Sequence, residues 1–172
     1  MEDTLMIVIA IGTAVVLMIV VPFMSMADRT DDVVQLTLET ALSDFVTTVS
    51  TKGEITQDDY SKLVEKISAT GNAYDIAVEI QFLDENPGKK TSQVQSTKIG
   101  ENTYVAIYES QFLEQLDQNG KITLKEGDIV TAGIEKESKS LADILHDVFL
   151  GASDDSSYIA VDSKMVTTNG AS

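Results

Sequence analysis

The sequence predicts an α+β protein: an N-terminal transmembrane helix that runs on as an amphipathic helix, packed on a mainly antiparallel sheet. Three observations predict it. Leu5 to Met24 reads LMIVIAIGTAVVLMIVVPFM, twenty residues without a charge. Apolar residues then recur at three- and four-residue spacing as far as Val49. Beyond Gly71 the period falls to two in several short runs separated by turn signals.

The first run is apolar all round, with only Gly12, Thr13 and Pro22 as interruptions. A globular helix would carry a polar stripe. At about 1.5 Å per residue, twenty residues match a hydrocarbon core about 30 Å thick. The run is therefore expected to span a membrane once. A cleaved signal peptide is the rival, with Ser25-Met26-Ala27 as a small-x-small cleavage site. Against it stand the acidic start Met1-Glu2-Asp3, where a secretory leader is positive, and an apolar core longer than such leaders carry. Retention is the expectation, with residues 1–27 as anchor and 28–172 as a single extracytoplasmic α+β domain at the cell membrane. Arg29 is the only base near either flank, so charge alone sets orientation weakly.

No Gly/Pro/Ser-rich linker follows. Val34, Leu38, Ala41, Leu42, Phe45 and Val49 make an apolar stripe opposite Asp31, Gln35, Glu39 and Ser43, so the rod continues. Pro22 and the β-branched content permit a bend between Phe23 and Asp28. Gly53 ends the rod, and Thr56 with Asp59 forms a capping box for a second helix buried through Tyr60, Leu63, Val64 and Ile67. Ile76, Val78, Ile80 and Phe82 then alternate with Ala77, Glu79 and Gln81, which predicts a strand. Residues 84–100 hold the Asn86-Pro87-Gly88 turn and read as a long loop or weak hairpin arm.

Thr103–Tyr108 reads as strand, and Ser110–Leu116 as a short helix or that strand's continuation. Lys121–Lys125 and Ile129–Ile134 read as strands joined across Glu126-Gly127-Asp128. From Ser140, with Asp143 in the capping-box position, a third soluble helix is expected, with Leu141, Ile144, Leu145, Val148 and Phe149 as its apolar face. Tyr158–Val166 is the last strand and Thr167–Ser172 a polar tail. Lys52-Gly53-Glu54-Ile55-Thr56 is echoed by Gly120-Lys121-Ile122-Thr123, a likeness that common turn chemistry produces and that is not read as a repeat.

Composition removes several kinds of chemistry. There is no cysteine and one histidine, so thiolate zinc sites, iron–sulfur clusters, disulfides and multi-histidine metal sites are out. His146, flanked by Asp147, falls off the apolar phase of its helix and reads as a surface histidine. The formal charge is −16. Residues 1–27 hold two acids and no base, which leaves 26 acids against 12 bases, net −14, for the rest. No cationic face remains for nucleic acid. Asp31-Asp32 and Asp154-Asp155 lack EF-hand spacing, and no nucleophile elbow, Walker loop or GxGxxG turn occurs. No catalysis, metal or cofactor is expected. The five tyrosines are scattered among the elements, as core and interface filling requires.

Candidate functional residues lie in the apolar helix. Glu2 and Asp3 can meet the terminal amine of a neighbouring subunit and set register in low dielectric. Ala10, Gly12 and Ala14 are small enough to let like helices approach closely.

The outline resembles the TadE-type pilin-like proteins of tight-adherence (type IVc) pilus loci and related gene clusters of Gram-positive bacteria. The likeness is carried by the N-terminal span, the amphipathic continuation to Phe45, Gly53-Glu54-Ile55-Thr56 to Tyr60, Gly71-Asn72-Ala73-Tyr74-Asp75-Ile76 and Gly127-Asp128-Ile129-Val130. It implies a pilin-like fold and a minor pilin or pseudopilin, a structural or assembly subunit of a pilus or secretion-type apparatus. The implied partners are membrane lipid and other pilin-like subunits or assembly-platform proteins, in a homo- or hetero-oligomer. The alternatives are a monomeric membrane-tethered surface binding module, using the sheet or the Asp84–Gly100 loop, and an envelope hydrolase built on clustered carboxylates.

Overall fold

The computed structural model describes residues 2–83, 104–150 and 158–170. Its first element is a single helix, α1 (Glu2–Lys52), of 51 residues, about 75 Å long at 1.5 Å per residue. The helix runs through Pro22 and across Phe23–Asp28 without a break. Its threonines are accommodated by donating back to carbonyls one turn earlier: Thr13 to Ile9 and Thr30 to Met26 at 2.9 Å, Thr37 to Val33 and Thr40 to Leu36 at 2.8 Å. The hydroxyl inside the apolar run thus has its partner within the helix itself.

The remaining elements are β1 (Glu54–Thr56), α2 (Gln57–Ser68), β2 (Tyr74–Leu83), β3 (Tyr104–Ile107), α3 (Glu109–Asn119), β4 (Lys121–Thr123), β5 (Ile129–Lys136), α4 (Leu141–Leu150) and β6 (Tyr158–Met165). The layout is α+β and pilin-like: a long N-terminal apolar helix, then antiparallel sheets. The main sheet has the order β3-β2-β5-β6, antiparallel throughout, with Ile80 opposite Val130 and Ile134 opposite Ala160. Its inner face packs on the C-terminal half of α1. Leu38, Leu42, Phe45, Val46 and Val49 from the helix, Ile76, Val78 and Ile80 from β2, and Val130, Ala132 and Ile134 from β5 form one core. The helical stripe and the β2 alternation expected from sequence both point into it. Burying each such side chain contributes about 1.5–3 kcal/mol before conformational entropy is set against it.

Helix α2 has the expected cap. Thr56 Oγ1 accepts from the Asp59 amide, and the Asp59 carboxylate reaches back to the Thr56 amide. Ser110–Leu116 resolves to helix as α3, closed by Gly120 at φ +69°. A strand would have put Glu114 on the same face as Phe112 and Leu116. The helix buries those two and leaves Glu114 in solvent.

Some expectations are corrected or extended. β4 and β5 follow one another but do not pair, because β4 joins β1 in a separate two-stranded sheet. Gly127, at φ +98°, and the buried Asp128 turn the chain from one sheet into the other. The two echoing segments prove to be partners. Each follows a helix closed by a left-handed glycine, Gly53 or Gly120, and Ile55 lies opposite Ile122. The polar tail is tied down: the Thr167 amide donates to Ser50 O, the Gly170 amide to Leu124 O, and Asn169 accepts from the Glu126 amide. Leu141, Ile144 and Val148, on the apolar face expected for α4, are 63%, 47% and 71% exposed, because α1 already covers the sheet's inner face. The side chains of Leu145, His146 and Phe149, the 84–100 loop and Asp154–Ser157 lie outside the described residues.

Candidate functional site

The largest uncovered feature is α1 itself. Among the described residues it is the one helix long and apolar enough to cross a membrane, and Leu5, Ile9, Val15, Leu17 and Val21 are more than half exposed. Among the described residues nothing covers them. The first position to be covered is Ala27, 6% exposed. Beyond it the helix has two apolar faces. One enters the core through Leu38 and Val49; the other presents Val33 and Leu36, 65% and 64% exposed. At about 100° per residue, Met26, Val33 and Leu36 fall within about 80° of one another and carry the apolar surface past the end of the uncharged run. An exposed apolar surface of this extent marks contact with lipid or with other protein.

The residues singled out from sequence all lie in this helix. Glu2 opens it, although its side chain is outside the described residues, and Asp3 is exposed in the first turn. Ala10, Gly12 and Ala14 are exposed as well. A side chain added at Gly12 would meet nothing within 4 Å. The helix divides this set. Ala10 and Ala14 are one turn apart on one face, with Thr13 beside them, whereas Gly12 lies about 160° round from Ala14. Close approach of two helices therefore uses Ala10 and Ala14 or Gly12, not all three together.

A polar junction holds the start of α4 to α1 just past Ala27. Ser140, the N-cap of α4, donates its hydroxyl to Asp31, while its amide donates to Asp143 at 2.7 Å. Lys136 and Lys139 pair with Asp143 and Asp147. Burial pushes the Asp143 carboxyl up, but the bonds from Lys136 and Ser140 outweigh it and hold it below the ordinary carboxylate value. Asp31 is thus spent on structure.

At the far end, a groove of about 390 Å³ between α1 and α2 is lined by Lys52, Asp59, Lys66 and Asp44. These charges face each other as Lys52–Asp59 at 2.9 Å and Lys66–Asp44 at 3.1 Å. Burial raises the Asp59 carboxyl, and the bonds from Thr56 and Lys52 more than reverse this. Tyr60, edge-on to Phe112 with ring centroids 5.4 Å apart, is raised by burial and then by Glu109 and Asp75. Glu109 is itself raised by burial and by Asp75. Asp44 and Asp59 are thus matched to lysines rather than to one another, and no acidic or histidine cluster able to hold a metal occurs among the described residues.

Sequence reasoning missed two things here. Val33 and Leu36 sit on the polar side of the predicted stripe, and their off-phase position was the available signal. Asp128 read only as part of a turn. It is 2% exposed and accepts the Leu83 amide at 2.8 Å and the Lys125 amide at 2.7 Å. Compared with known proteins, the chain matches no family model, no curated protein and no solved structure.

Proposed function

We propose that the chain is a single-pass membrane protein, with residues 1–27 in lipid and 28–172 outside the cytoplasm, that serves as a pilin-like, TadE-like structural subunit in the assembly of a pilus or secretion-type apparatus. One observation carries this reading: a single unbroken helix is wholly uncovered and apolar over its first half, keeps an uncovered apolar stripe at Val33 and Leu36, and buries only its opposite face in its own domain. A tether needs the first property alone. The continuing stripe supports lateral contact with like helices or with assembly-platform proteins, since lipid does not reach Leu36. The net charge of −16 supports partners other than nucleic acid. In this role the chain has no catalysis of its own.

The opposed faces of α1 give the test. Ala14→Leu and Gly12→Leu place a leucine on opposite sides of the helix. One of the two is expected to disperse the oligomers seen by size measurement in mild detergent, and the outer domain's thermal unfolding is expected to stay unchanged in both. Wild-type protein that runs as a lone monomer refutes assembly and leaves the tethered binding module in its place.

A further inference from the structure

We propose that α4 lies on the membrane surface, with Leu141, Ile144 and Val148 set into the boundary between lipid headgroups and acyl chains. This rests on the anchor reading above and adds a second, peripheral lipid contact made by the outer domain.

The topology places α4 at the membrane-proximal end of the sheet. β6 ends beside the distal part of α1, where Lys164 donates to Thr47 and the Thr167 amide to Ser50 O. β6 therefore begins at the opposite, lower end. Tyr158, its first residue, is in register with Glu135 near the end of β5. Both chain connections to α4 leave from that end, and Ser140 fastens its start to Asp31 of α1. Asp31 stands four residues beyond Ala27, the last residue before a charge, and so about 6 Å above the end of the uncharged run. A helix with side chains is about 10–12 Å across, and the headgroup layer adds about 5–8 Å to each side of the hydrocarbon. A helix at this level, lying with one face down, reaches the acyl boundary.

The face that points away from the protein is the apolar one. Leu141, Ile144 and Val148 follow i, i+3, i+7 spacing and fall within about 60° of one another. Asp143 and Asp147 lie round the helix on the side taken up by Lys136 and Lys139, which come from the strand end and the connection above. The ion pairs thus turn the polar side toward the sheet and neutralise the helix's two acids, leaving an uncharged apolar ridge outward. A membrane is the occupant this position calls for: the ridge lies level with the end of a lipid-spanning run in the same molecule. Val33 and Leu36, by contrast, climb away from it.

The native chain has no cysteine, so single cysteines report cleanly. Full-length Ile144→Cys and Val148→Cys, each labelled with an environment-sensitive fluorophore, are reconstituted in phosphatidylcholine vesicles. Val16→Cys serves as the deep control and Ser68→Cys as the aqueous one. The expected result is a blue shift at 144 and 148, with greater loss of emission to a shallow nitroxide lipid than to a deep one, the reverse order at 16, and no loss at 68. Quenching at 16 with labels at 144 and 148 that behave like 68 overturns the inference and leaves the anchor standing. Loss of quenching at 16 overturns the anchor, and this inference with it. A blue shift at 144 that ignores nitroxide lipid and fades as the protein is diluted in lipid assigns the ridge to a second copy of the chain and also overturns it.

Discussion

Removing the Asp128 carboxylate should unfold the upper end of the domain. Oδ1 accepts from Leu83, at the end of β2, and Oδ2 from Lys125, after β4, while the residue's own carbonyl accepts from the Val166 amide at 2.7 Å. One buried side chain thus ties the main sheet to the loop that leads in from the small one. In Asp128→Ala two backbone amides lose a charged acceptor at a site that is 2% exposed. Each orphaned donor costs about 1–3 kcal/mol, so the pair costs about 3 kcal/mol once partial access of water at Leu83 is allowed for. For a domain of this size that corresponds to a fall in Tm of roughly 10 °C. Asp128→Asn keeps one acceptor and turns an NH₂ toward the other amide, so it should fall between Ala and wild type. Thermal unfolding of the full chain in detergent, followed by near-ultraviolet tyrosine dichroism, measures both. Were Asp128→Ala to melt within about 2 °C of wild type, the bridging role would be refuted.

Two further outcomes follow from the same geometry. Gly53→Ala and Gly71→Ala both impose a side chain at positive φ, +70° and +85°, which costs about 1–2 kcal/mol. Only at Gly53 would the new methyl also meet backbone, that of Thr168 to Gly170, so Gly53→Ala should destabilise clearly more and expose the C-terminal segment to protease, as thermal melts and limited digestion would reveal. In acid, Asp59 and Glu109 should act with opposite sign. Asp59 has a folded pKa below its unfolded one, so its contribution is present above the ordinary carboxylate range and is lost as pH falls through the folded value; Asp59→Asn should flatten that limb of the stability curve. Glu109 has a raised folded pKa, so it opposes folding at neutral pH and ceases to as it protonates, and Glu109→Gln should raise stability at pH 7 while changing little in acid.

How much of this was legible in the sequence depended on whether the signal was local. The Thr56/Asp59 box, the Gly53 stop, the β2 alternation and the Leu38-to-Val49 stripe are each decided within a few residues, and each stands in the structure. Partnership is not local. A period of two at Lys121–Lys125 and Ile129–Ile134 announces strands but not which neighbour each takes, so two successive strands in different sheets read as a joined pair. Apolar spacing in α4 likewise declares a face without saying what covers it. The small residues Ala10, Gly12 and Ala14 looked like one set along the line of the chain and separate only when wound into a helix. Asp128 was illegible because its partners, Leu83 and Lys125, are brought to it by the fold; the nearer one is three residues away, the other 45.

The strand that shields the outer half of α1 comes late in synthesis. The bonds that join β6 and its C-terminal continuation to the helix close loops of 117 residues. At a ribosomal pace of about 5–20 residues per second, the greasy flank around Leu38 and Val46 is made roughly 6–23 s before its permanent cover. During that interval the nascent chain is most open to chaperones, to proteases and to premature pairing with siblings.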